Sequence, residues 1–153
     1  MTHSNGSGAT FHPVGARGPQ EFAWLIQQFV DETPDVVHAL LVSLDGLQLV
    51  SSAGIGRDLG DQLAALTAGM ISMADRGADL LNLGSAEYLT IRLPRGHLLL
   101  MRVDMSAGLA VAVGPNCDLR TVAYRMTRLV GSVGHLLTPQ IRSQLHRLSA
   151  SRQ

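Results

Sequence analysis

The side chains that could do chemistry in this chain are few and far apart. His3 and His12 could ligate a metal, but a zinc site takes three or four nitrogen, sulfur or carboxylate ligands. Neither histidine has a cysteine or carboxylate near it in sequence, so no metal is expected there. His38 stands near the start of an apolar run and reads as a structural residue. The stretch Gly54-Ile55-Gly56-Arg57-Asp58-Leu59-Gly60 has the look of a phosphate loop between a strand and a helix. A dinucleotide fold, however, needs its strand in a parallel βαβ unit, and this strand follows a tight hairpin. Asp58 would also repel phosphate, and it serves better as a helix N-cap. Cys117 is the only cysteine. With no Ser/His/Asp spacing, no Cys/His pair and no clustered ligands, neither catalysis nor a cofactor is expected.

These residues hang on a framework organised around the stretch from Asp58 to Leu81. Between Gln62 and Ala74 it carries no Asp, Glu, Lys or Arg. Leu59, Leu63, Leu66, Met70 and Met73 recur at steps of four and three, so they form one stripe of a helix, which is expected to face the core. The opposite side, with Ala64, Ala65, Ala68, Gly69, Ile71 and Ser72, then offers only small or apolar surface. Something must cover it. Gly69 inside a helix costs about 1 kcal/mol relative to alanine, which small-residue packing against a second helix would offset. Two readings stay open, a helix buried within its own monomer and a helix at a subunit or partner interface.

A chain of 153 residues with 46% hydrophobic content suits one domain with a sizeable core. A lone cysteine, no run of membrane-span length and no apolar signal-peptide core in the first nineteen residues together predict a cytoplasmic protein. Up to Asp118 there are twelve acids and six arginines, and beyond it six arginines and no acid. Residues 1–19 read as a disordered arm. From Gln20 to Thr33 the spacing of Phe22, Leu25, Ile26, Phe29 and Val30 predicts an amphipathic helix, ended by Pro34, with Trp24 off the stripe.

VVHALLVSL and LQLVSS follow as strands around Asp45-Gly46, a pair that suits a type I′ turn. That register sets Leu44 against Leu47, Val42 against Leu49 and Leu41 against Val50, with both faces covered. Tyr88 to Leu93 alternates as an outer strand, His97 to Val103 reads as a central one, and Leu109 to Val113 completes the sheet with Ala110 and Ala112 leaving room for a helix. The last long helix spans Asp118 to Leu137. Its arginines Arg120, Arg125 and Arg128 lack interleaved aromatics or a nucleic-acid motif and read as a solvated face. Residues 138–153 form a basic tail, with a short helix through Ile141, Leu145 and Leu148 that is not stable in isolation.

The order helix, hairpin, long helix, three antiparallel strands, helix, together with Val42-Ser43-Leu44-Asp45-Gly46-Leu47 to Ser51-Ser52 and the small-residue helix Leu63 to Ala74, resembles the Roadblock family. The likeness spans Glu21 to Leu137 within a domain of residues 20–137. It implies an α+β fold of profilin-like type, a five-stranded antiparallel sheet with the central helix on one face and the first and last helices on the other. It also implies a homodimer made by pairing central helices and third strands. The interface would draw on Leu63, Ala65, Leu66, Ala68, Gly69, Met70, Ser72 and Met73, with Tyr88 and Thr90 of the strand.

Family members have no shared catalytic residue; they are subunits, scaffolds and regulators of small Ras-like GTPases, in some bacterial systems encoded beside a sensor kinase and the GTPase. The resemblance thus implies a regulator of such a GTPase, possible partners from the same operon, and no nucleic acid. A small-molecule sensor module and a structural adaptor are the alternatives. Docking residues for the GTPase would include Arg57, Asp61 and Arg76. An arginine finger contributes about 10³ to 10⁵ in rate, but Arg57 beside Asp58, and Arg76 between Asp75 and Asp79, are expected to be held by those carboxylates and not to act as fingers.

Overall fold

Apolar runs and turn residues arrange residues 18–151, the part of the chain described by the structure, a computed structural model, into four helices and five strands. In chain order these are α1 (Pro19–Glu32), β1 (Val36–Ser43), β2 (Gln48–Ser51), α2 (Arg57–Leu81), β3 (Tyr88–Leu93), β4 (Gly96–Asp104), β5 (Ala107–Val113), α3 (Leu119–Gly134) and α4 (Pro139–Ser151). The strands make one sheet in the order β2-β1-β5-β4-β3, and every neighbouring pair is antiparallel. His3, His12 and most of the expected arm lie outside the described residues.

Side chains alternate across the sheet, and the two faces build two separate clusters. Leu41, Leu99, Met101, Leu109 and Val111 point to the side where Phe22, Ile26 and Phe29 of α1 and Val122, Met126, Leu129 and Val133 of α3 pack. Leu40, Val42, Leu100 and Ala110 point to the other side, under α2. The expected layering therefore holds, with α2 alone on its face. The stretch read as a basic tail carries α4, which buries Leu145 in the α1/α3 cluster and whose Ser149 hydroxyl donates to the Leu49 carbonyl at 2.8 Å. A helix too short to stand alone is held here by that docking.

The hairpin between β1 and β2 differs from a type I′ turn. Gly46 has φ of 93°, but Asp45 is not among the residues with positive φ. The Gly46 N–H donates to the Ser43 carbonyl at 3.0 Å and the Ser43 N–H to the Leu47 carbonyl at 2.8 Å. This is the three-residue loop, a turn followed by a left-handed glycine that forms a bulge. The register slips between Leu41 and Val42, so Leu41 opposes Val50 as expected, whereas Val42 opposes Gln48 and not Leu49. The bulge turns Gln48 toward α2 and Leu49 toward α4.

Candidate protein-protein interface

Gly60, Ala64, Thr67, Ala68 and Ile71 are the buried residues of α2. They recur at steps of three and four; Gly60, Ala64, Thr67 and Ala68 are small enough for the helix to lie close on Leu40, Val42 and Ala110, and Ile71 fits over Gly108, where a Cβ would meet its Cδ1 at 2.8 Å. Gln48 fills the space over Gly60: a Cβ there would meet its side-chain Oε1 at 2.3 Å. The Gln48 amide donates to Asp61 Oδ1 at 3.2 Å, fixing the first turns of α2 on β2.

The consequence overturns the expected orientation of the apolar stripe. Leu59, Leu66 and Met73 do not face the core; they point outward, 46%, 58% and 74% exposed. Leu80 extends the row at 81% exposure, so the four recur every seven residues along the outer surface. Leu63 and Met70 are half-buried at the flanks, packed against the sheet cluster. Close approach of a mostly small-residue face won over burial of the largest side chains, with Ile71 the one large side chain of α2 fully buried against the strands.

Of the residues expected at an interface, Ala65, Leu66, Gly69, Ser72 and Met73 are exposed on α2, and a Cβ on Gly69 would meet nothing within 4 Å. Ala68 is buried against the sheet and is not available to a partner. Tyr88 and Thr90 are exposed on the edge strand β3. They oppose Met101 and Leu99, which pack under α3, so they lie on the face away from α2. The β3 residues on the α2 face are Leu89, Ile91 and Leu93, which the reading of the sequence did not assign to the interface although their alternation was visible. Leu93 joins Val37, Leu63, Leu98 and Ala112 in an apolar groove of about 590 Å³ along the flank of α2.

Charged groups frame this surface. Arg57 and Asp61 approach to 4.0 Å across one turn, both exposed. Arg57 is thus held by Asp61 and not by Asp58. Asp58 does not cap the helix either; Gly56 holds that position, and Asp58 lies in the first turn, where its charge favours the helix dipole. Arg76 makes no ion pair with Asp75 or Asp79, and none with any described residue. Asp75 turns inward instead. Its Oδ1 accepts the Ala86 N–H at 2.9 Å and its Oδ2 meets the Arg102 guanidinium of β4. The Ala86 hydrogen bond, aided by Arg102 and opposed by burial, holds its carboxyl below the usual range. This clamp ties the end of α2 and the start of β3 to the sheet.

Among the described residues no three His, Cys, Asp or Glu side chains gather as they would to hold a metal ion. His38 is half-buried on β1 opposite Ala112. Burial, with the nearby Asp35 and Asp118 carboxylates, pushes the Cys117 thiol up and away from reactivity. Among the described residues no helix is long and apolar enough to cross a membrane. What the geometry offers is a contact surface, an apolar helix face with an open strand edge beside it.

Comparison with known proteins gives the same architecture. The Roadblock/LC7 domain family model matches residues 22–113. A Roadblock/LC7 domain from Streptomyces avermitilis is 29% identical, with a TM-score of 0.71 over 76% of this chain and 98% of that one. MglB of Myxococcus xanthus, 16% identical, has a TM-score of 0.71 over 76% and 94% of the two chains. The gliding protein MglB of Thermus thermophilus, 23% identical, has a TM-score of 0.68 over 77% and 90%. None of the curated proteins matches.

Proposed function

The chain belongs to the Roadblock/LC7 family, and on that premise we propose that it acts as a homodimeric regulator or platform for a small Ras-like GTPase. The observation that carries the proposal is the outward row Leu59, Leu66, Met73 and Leu80. A seven-residue recurrence is the pattern by which two helices pack side by side, and a soluble monomer would rarely expose it. Gly69 is the middle residue of the 25 in α2. In a two-fold pairing the same patch meets itself; an antiparallel pair that crosses at Gly69 would set Leu66 against Ser72 and Met73 against Ala65 of the second copy. Large side chains then meet small ones, and β3 is free to continue the sheet.

Regulation would come from docking and not from a donated catalytic group. Arg57 and Arg76 are 19 residues apart, about 28 Å along the helix at 1.5 Å per residue. One copy cannot bring both to a single phosphate. With Asp61 they are docking residues, and any stimulation of hydrolysis arises by favouring a GTPase conformation that uses its own catalytic groups, a shift limited by differential affinity.

Two measurements test this. Light scattering at micromolar concentration should give a dimer, and Gly69→Arg, whose charge would be buried unpaired at the crossing, should give a folded monomer. A wild-type monomer would end the proposal. With a GTP-loaded Ras-like GTPase, Arg57→Ala and Arg76→Ala should each lower single-turnover hydrolysis by about tenfold or less, the scale of about 1.4 kcal/mol. A loss near a thousandfold with binding intact would instead identify an arginine finger.

A further inference from the structure

On the face opposite α2, the helices α1 and α3 run side by side without filling the space between them. They leave a groove of about 450 Å³ whose floor is Leu25, Phe29 and Leu129. Two guanidiniums stand in its wall, those of Arg125 and Arg128. Arg125 spends one N–H on the Glu32 carbonyl at the end of α1, at 2.9 Å. The side chain of Arg128 makes no hydrogen bond or ion pair with any described residue. The acid in the groove, Glu32, already accepts from the Gln28 amide at 3.0 Å and forms no ion pair with either arginine. A net positive charge therefore remains over an apolar floor.

A second observation points to a ligand. Thr33 lines the groove and is 3% exposed, yet its hydroxyl has no hydrogen-bond partner. Buried polar groups are nearly always paired, and a rotation of the Thr33 side chain into the groove would let this hydroxyl donate to an oxyanion held there by the arginines. Tyr124 lines the groove and Trp24 stands near it, both exposed. Tyr124 is 64% exposed on the wall, and Trp24, 58% exposed, lies one turn before Gln28 on the outer shoulder of α1. Exposed Trp, Tyr and Arg around an apolar centre form the residue set that dominates protein-protein contacts. A small-molecule site would enclose most of its ligand, whereas this groove opens along its length.

We infer that the α1/α3 groove docks an acidic segment of a partner protein, which sets an Asp or Glu carboxylate against Arg125 and Arg128 and lays an apolar side chain on Leu25 and Phe29. Because the groove faces away from α2 and β3, this docking neither requires nor blocks a dimer made through them. It would join a second protein to a platform whose other face is already occupied.

Trp24 is the only tryptophan of the chain, and it stands one helical turn from the groove-lining Gln28, so its emission is the probe for a peptide that extends from the groove over α1. Peptides selected from a displayed random library on the full-length protein should be enriched in Asp or Glu next to an apolar residue, and should shift Trp24 fluorescence on titration. Arg128→Glu should weaken them at least tenfold. Ser132→Glu, which adds a negative charge to the wall and leaves both arginines in place, should do the same, while Arg120→Glu, outside the groove, should change affinity less than twofold. Circular dichroism confirms that each variant is folded. The inference is overturned if selection yields no binder, if the selected peptides lack acids, or if Arg120→Glu weakens them as much as Arg128→Glu. It is also overturned if free glutarate alone reproduces the Trp24 shift at the same concentration as the peptides, which would make this a small-anion site.

Discussion

The two faces of the sheet are covered in opposite ways. Under α1, α3 and α4 the helices turn their large side chains inward, so that Phe22, Ile26, Phe29, Met126 and Leu145 interlock with Leu41, Leu99 and Val111. Under α2 the helix turns Gly60, Ala64 and Ala68 inward and sends Leu59, Leu66 and Met73 outward. The first arrangement buries apolar area within one chain. The second trades area for closeness and leaves a surface that another molecule can bury. Amphipathicity therefore does not by itself identify a core face: when one side of a helix is small and the other large and uncharged, the height available over the strands decides which side goes in.

The sharpest way to break that contrast is to shorten one methionine on each side. Met126 has 0% exposure in the α1/α3 cluster, and Met126→Ala should cost about 2–5 kcal/mol by loss of transfer energy and creation of a cavity. Met73 is 74% exposed. Met73→Ala should change the stability of the dissociated chain by less than about 0.5 kcal/mol, while weakening the dimer, so that its melting temperature falls toward the concentration-independent value of the single chain. Urea titrations at two protein concentrations separate these effects. Equal losses at both sites, independent of concentration, would mean that Met73 belongs to the monomer core.

The next largest effect should come from the close approach of α2. Gly60→Ala must push aside the Gln48 amide, buried at 4% exposure. Overpacking of this kind costs about 1–3 kcal/mol and should also free Asp61 to move. Gln48→Ala combined with Gly60→Ala should recover much of the loss, because the obstruction is gone. If the double variant is no more stable than the single one, the contact is not the reason for glycine at this position.

Element types and order were legible because each rests on local periodicity: the Phe22, Ile26, Phe29 stripe, the apolar runs of β1 and β4, the alternation in β3. The orientation of α2 was not, since both of its sides lack charge and the choice depends on Ala110 and Val42, distant in sequence. The bulge was hidden for a similar reason. Asp45-Gly46 suits a two-residue turn locally, but Gln48 is drawn toward Asp61, 13 residues on, and that tertiary hydrogen bond goes with a longer loop. Asp75 looked like a neighbour for Arg76 and instead meets Arg102, 27 residues away. At the candidate site, the uncharged stretch Gln62 to Ala74 was visible, whereas the groove between α1 and α3 depends on two elements about a hundred residues apart.

Gly46→Val probes the loop itself. With φ of 93° at Gly46, a β-branched residue is strained there at a cost of about 1–3 kcal/mol. The nearest heavy atom to an added Cβ, the Ala65 Cα of α2, is 3.7 Å away, an ordinary contact. The loss should therefore be backbone strain and appear equally with alanine, so Gly46→Ala should account for most of it. A variant melting at the wild-type temperature would contradict the left-handed loop.

The smallest effect concerns the clamp that holds α2 to β4, and it is visible only in acid. The Asp75 carboxyl is lowered mainly by the Ala86 N–H, with Arg102 adding to it. A group whose pKa falls on folding contributes stability that is fully present above its unfolded value, about 3.9 for Asp, and is lost as the pH drops through its folded value. Asp75→Asn keeps an oxygen for the Ala86 N–H but leaves the Arg102 charge unpaired. The variant should be less stable than wild type by an amount that is constant near neutrality and shrinks below about pH 4, as the wild-type carboxylate is protonated. Asp118, whose carboxylate caps α3 by accepting from the Thr121 hydroxyl and the Arg120 N–H, is lowered as well and adds to the acid sensitivity of both proteins alike. A difference between wild type and Asp75→Asn that stays constant to the lowest pH at which both fold would show that the charge on Asp75 does not hold α2 in place.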